Sequence, residues 1–260
     1  MIEFQCTRWD RNNAPVTDNA SIQDYAEMLL GDYKPALLQH PERVNGIHFL
    51  ETYLKLSVDY QYIYYEENEL PIAGATVFEN DMVRIFDREK MCVRSIPVRA
   101  NTVLLDNSIL VDGKEGFANF TAMHEAGHFC MHSRAYRHEP RPGQNILCCR
   151  HATVGQPCDL RGKKLTSRQN LEHQANVFAA YIMMPRQTFL PYARELIRSE
   201  GYLHGAITDF NDWETDYRLQ RVLRQLAETY GVSCTAAKIH MEELGLIQSQ
   251  RDPGKTPVSH

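Results

Sequence analysis

No apolar run in this sequence approaches the ~18 residues that a helix needs to cross a bilayer. The opening MIEFQCTRWDRNN has neither the charged start nor the apolar block of a secretory signal. These two absences lead us to expect a soluble cytoplasmic protein with no membrane contact. Positive charge is also in deficit. At a net charge of −5 the chain has no general attraction for phosphate backbones, and the basic stretch RGKKLTSR reads as a solvated loop. Seven cysteines, an odd number spread over 260 residues, fit reduced thiols or metal ligands better than a disulfide framework. Internal repeats and low-complexity tracts are missing too, which excludes solenoids and arrays. What the chain does have is 43% hydrophobic residues, ample for a packed core.

The hydrophobic period changes along the chain. SIQDYAEMLL, closed by Gly31, predicts a helix capped by Ser21, and a second helix is expected from Pro41 to Lys55. YQYIYY, ATVFE, MVRIFD and TVLLD are short β-branched and aromatic runs between turn residues, which predict a small, mainly antiparallel sheet. Helical spacing then returns. Asp112 and Glu115 stand at the spacing of an N-cap and its third helical residue, and Phe117, Phe120, Met123, Gly127 and Met131 share one face. Residues 133–165 carry no period and read as a long loop. A further helix is expected from Ser167, ended by Pro185, and a last pair over 218–247 breaks at Gly231. The fold class is therefore α+β. The expected organisation is one domain over 17–250: a helical part at 17–58, sheet at 60–111, site helices at 112–185 and a C-terminal helical part at 213–248. The remaining 251–260 are read as a disordered tail.

The stretch TAMHEAGHFCMH carries the chemistry. Residues four apart on a helix share a face about 6 Å apart along the axis, so His124 and His128 can turn ring nitrogens toward one ion. Glu125 is rotated about 100° from His124, where it can reach a water on that ion. His132 lies about 12 Å along the axis from His124, too far for one ion to bind both, so it is read as backing the site. A catalytic zinc needs a third protein ligand. In EHQAN, Glu172 and Asn176 share a face, and Ala175 and Ala179 are small enough for two helices to approach closely. Glu172 is the candidate ligand, with Asn176 available to hold a ligand histidine's other nitrogen. His173, about 100° away, is the rival.

HEAGHFCMH followed by LEHQANVFAAYIMMP resembles the paired signature of the ImmA/IrrE family of metallopeptidases. Gly127, Glu172, Ala175, Asn176, Phe178, Ala179, Met184 and Pro185 fall on its pattern. The resemblance spans roughly 20–248 and is weak before residue 100. It implies a zincin-like domain and a zinc peptidase of the gluzincin type, with His124, His128 and Glu172 as ligands and Glu125 as general base. It also implies cleavage of a partner transcriptional repressor. The long cysteine-rich loop and the basic strand region from Arg84 to Arg99 depart from the pattern.

Other readings stay open. Tyr181, Tyr136 and His138 are candidates for stabilising an oxyanion. Cys148, Cys149, His151 and Cys158 are a candidate second metal site, although their spacing matches no common finger. Cys130 is read as a small buried hydrophobe. LAETYGVSCTAAKIH has the small residue, glycine and break of a helix-turn-helix, so the alternative function is a DNA-binding regulator with a structural metal. Against it, Lys238 is the one lasting positive charge between Cys234 and Glu243, followed by two glutamates, so no direct nucleic-acid binding is expected. A binding protein on a dead peptidase fold is disfavoured by the intact Glu125.

Overall fold

The computed structural model describes residues 2–137, 146–150, 165–207 and 213–247, with backbone alone at 137 and 146–150. Helix α1 (Asn19–Tyr33) is capped by Asp18, whose carboxylate accepts from the Ser21 amide at 2.8 Å. The cap is therefore three residues earlier than Ser21. The helix expected from Pro41 starts only at Gly46, where the Asn45 side chain accepts from the His48 amide. This helix, α2 (Gly46–His48), widens at once into a π turn at Phe49–Tyr53.

Strands β1 (Ser57–Gln61), β2 (Ile72–Val77), β5 (Thr102–Asp106) and β6 (Ile146–Arg150) form one sheet in the order β1-β5-β2-β6. β1 runs parallel to β5, and the other two pairings are antiparallel. Strands β3 (Asp81–Asp87) and β4 (Cys92–Val98) make a separate antiparallel hairpin. β4 falls within the basic strand region read from Arg84 to Arg99, although it is exposed along most of its length and shows no alternation. One strand escaped the sequence reading: β6 lies inside the stretch read as loop.

β2 is buried at all six positions because both its faces are covered. Ala75 and Val77 join Val83, Ile85 and Leu104 in a small cluster beneath the hairpin. Gly74 and Thr76 turn the other way, onto the helix that carries the histidines. The β2–β6 register shifts between Ile72 and Gly74, a bulge beside the site.

That helix, α3 (Glu115–Arg137), crosses the main core and packs against α4 (Ser167–Met183). Thr166 and Gln169 close α4's N-terminus as a capping box. α5 (Arg186–Ser199), α6 (Trp213–Tyr230) and α7 (Cys234–Glu243) complete the helical layer. No helix among the described residues is long and apolar enough to cross a membrane. The expected tail at 251–260 lies outside the described residues.

Candidate metal centre

Close approach of α3 and α4 builds the centre. A Cβ at Gly127 would lie 3.0 Å from Phe178 Cδ1 and 3.2 Å from Ala175 Cα, so the missing side chain sets how near the helices come. Across that contact His124 and His128 meet Glu172. Their Nε2 atoms are 2.9 Å apart, and lie 3.3 Å and 3.8 Å from the two Glu172 carboxylate oxygens. In a tetrahedral zinc site with bonds of about 2.0–2.1 Å, neighbouring ligand atoms stand about 3.3 Å apart. The three separations bracket that edge. Among the described residues this is the one grouping of three such side chains close enough to share an ion.

The surroundings suit a cation. Both histidines are fully buried, and neither buried Glu172 oxygen has a hydrogen-bond partner. Buried polar atoms left unpaired are costly, and a metal ion satisfies them. Burial, reinforced by His124, brings the His128 imidazole down to about 4, which keeps it in the neutral form that binds metal.

Each remaining candidate has a definite place. Asn176 Oδ1 lies 2.9 Å from His124 Nδ1 and accepts from it, leaving His124 Nε2 as a bare lone pair. His132 is fully buried, with Nδ1 at 2.8 Å from His128 Nδ1. Glu125 is fully buried too, and burial pushes its carboxyl up to about 8. Its Oε2 accepts from the Thr76 hydroxyl at 2.6 Å, while Oε1 has no hydrogen-bond partner. His173, the rival ligand, turns to Asn19 at 3.2 Å and does not join the cluster.

Tyr181 packs edge-on against His240, and Tyr136 stacks on Phe78. His138 lies outside the described residues. Cys130 is part-buried against the main core, and burial raises its thiol to about 12, so it is inert. Cys148 and Cys149 are in β6, while His151 and Cys158 lie outside the described residues. Nothing supports a second metal there. On α7, Ala236, Ala237, His240 and Met241 are buried, and the exposed Thr235, Lys238 and Glu243 carry no net positive charge for a phosphate backbone.

Sequence reasoning missed Gly74, Thr76 and Gln174. The first two act across a strand-to-helix contact that no local spacing announces. Gln174 sits between Glu172 and Asn176, inside the motif, but its polarity alone said nothing of its partners.

The fold and the two-histidine, one-carboxylate cluster define an α+β metallopeptidase domain of the zincin kind. The family profile for Peptidase_M78, the IrrE N-terminal-like domain, matches residues 114–242, a span that holds α3, α4 and the whole cluster. Over that span the chain is similar to this metallopeptidase family. No curated protein matched the chain.

Proposed function

We propose that this chain, as one domain over 17–250, is a zinc-dependent endopeptidase that cuts a specific partner protein. The observation that carries the reading is Glu125 Oε1, a buried carboxylate oxygen without a partner, on the residue next to one of the histidines that meet Glu172. His124, His128 and Glu172 would hold the zinc, which when bound supplies an activated water and a polarised carbonyl. Glu125 acts as general base, taking the water's proton and handing it to the leaving amine. Asn176 and His132 orient the ligand imidazoles through their second nitrogens.

The substrate we assign is a helix-turn-helix transcriptional repressor in the cytoplasm, which would make the outcome transcriptional regulation. An unrestricted protease would damage its own host, so narrow specificity is expected. The arginine-bearing segment that begins with Arg134, and continues through Arg137, Arg141 and Arg150, would meet acidic groups on that partner. Zinc-loaded protein should be incubated with a co-encoded repressor and, separately, with casein. One discrete cut in the repressor, absent with Glu125→Gln, supports the proposal. General casein digestion removes the specificity, and salt-sensitive DNA binding without any cleavage restores the regulator alternative.

A further inference from the structure

A line of buried hydrogen bonds leads from the metal centre to the N-terminal segment. His128 Nδ1 lies 2.8 Å from His132 Nδ1, and His132 Nε2 lies 3.0 Å from Gln174 Oε1. The Gln174 amide nitrogen donates to the Pro15 main-chain carbonyl at 2.9 Å. His128 and His132 are fully buried, and Gln174 is 1% exposed, so water does not compete along the line.

The direction of every proton in it is fixed from one end. A main-chain carbonyl can only accept, so the NH2 of Gln174 must face Pro15, and its oxygen must face His132. That oxygen also only accepts, so His132 carries its proton on Nε2 and presents a bare Nδ1. His128 must then donate from its own Nδ1. Its Nε2 is left as a lone pair, pointing at His124 and Glu172. The opposite tautomer of either ring would set two lone pairs, or two protons, against each other in a dry interior.

We propose that Gln174, oriented by the Pro15 carbonyl, is a positioning residue for the metal centre: through His132 it holds His128 in the one tautomer whose Nε2 can bind the ion. This rests on the zinc reading of the cluster. It also gives the N-terminal segment a task at the site. Pro15 is held there by an antiparallel bridge to Trp9 and by the Asp10 carboxylate and Asn12 amide on Ser167 at the start of α4.

The test is zinc affinity, measured by competition with a chromophoric chelator, for the wild type, Gln174→Met and Gln174→Glu. Gln174→Met keeps the bulk and removes the acceptor, and should weaken zinc binding about 10–100-fold. Gln174→Glu, as the carboxylic acid, still donates to the Pro15 carbonyl and accepts from His132 Nε2, and should stay close to the wild type. Equal losses in both variants would overturn the tautomer account. A wild type that binds zinc with Gln174→Met unchanged also overturns it, whereas a wild type that binds no zinc overturns the metal reading instead. Should Gln174→Met fail to fold, long-range proton–nitrogen NMR spectra of the zinc-loaded wild type decide alone. Protons on His132 Nε2 and His128 Nδ1 support the proposal, and the reverse assignment overturns it.

Discussion

The two oxygens of Glu125 meet different surroundings, and the difference sets what single substitutions should do. Oε2 is tied to Thr76, and Oε1 has no partner. Gly74 leaves room for it, since a Cβ there would come within 2.9 Å of Oε1. Glu125→Gln preserves the shape and removes the base, so zinc content should be unchanged while single-turnover cleavage falls by about 10²–10⁴-fold. Undiminished cleavage would remove Glu125 from the mechanism. Gly74→Ala should also slow the cleavage step, because its methyl displaces the same carboxylate without touching a metal ligand. The pairing of His124 with His128 was legible in the sequence because helical spacing is a local property, and Glu172, on another helix, was reached through the need for a third ligand and the face it shares with Asn176. Thr76 was not, because its contact with Glu125 spans 49 residues and depends on how the sheet docks. The α1 cap was misplaced for a smaller reason: Asp18 and Ser21 are both good caps, and their sequence alone does not rank them.

Helix packing separates holding the fold from shaping the site. At Gly116 an added Cβ would fall 2.6 Å from the Val232 carbonyl carbon, against main chain that cannot step aside. At Gly127 the nearest atom, at 3.0 Å, belongs to the Phe178 ring. Replacing glycine by alanine inside a helix gains about 1 kcal/mol of propensity, while overpacking costs about 1–3 kcal/mol. Gly127→Ala should therefore be near neutral to about 2 kcal/mol destabilising. It should nevertheless weaken zinc binding, since it pushes α4 and Glu172 away from the histidines. Gly116→Ala should lower the melting temperature more and leave zinc affinity intact. Melting curves paired with zinc titrations check both, and a reversed order of the two effects would show that Gly127 does not set the ligand spacing. The long amphipathic helices were legible as elements, as were the strands with branched and aromatic residues. β6 was not, because the stretch that holds it carries no hydrophobic period. The helix expected from Pro41 was delayed to Gly46, where Asn45 caps it and the Asn119 side chain both accepts from the Gly46 amide and donates to the Val44 carbonyl. Such tertiary contacts override local propensity.

For the molecule as a whole, the candidate metal site lies inside the main core. His124 and His128 sit on α3, which also packs on β2 and places its own Met123, Ala126 and Met131 in the core. Glu172 sits on α4, which also packs on α1 through Phe178 and Tyr25. The sequence made the α+β class legible and hinted at the paired C-terminal helices, but did not reveal that the N-terminal segment reaches the site through Pro15. An ion bound across α3 and α4 joins elements that come together only in the folded state, so zinc binding should appear as folding stability. With free zinc at a hundred times Kd, linkage gives about 2.7 kcal/mol. At about 2–4 °C per kcal/mol for a chain of this size, that is a rise in Tm of roughly 5–10 °C. Removal of zinc by a chelator should reverse the rise, and added zinc should restore it. His124→Ala and Glu172→Ala should melt at the same temperature with and without zinc, because each deletes a ligand from a three-ligand set. His173→Ala, which loses only a contact to Asn19, should keep the full shift. If His173→Ala abolished the shift and Glu172→Ala kept it, the third ligand would be His173 and α4 would have to bind in a different rotation.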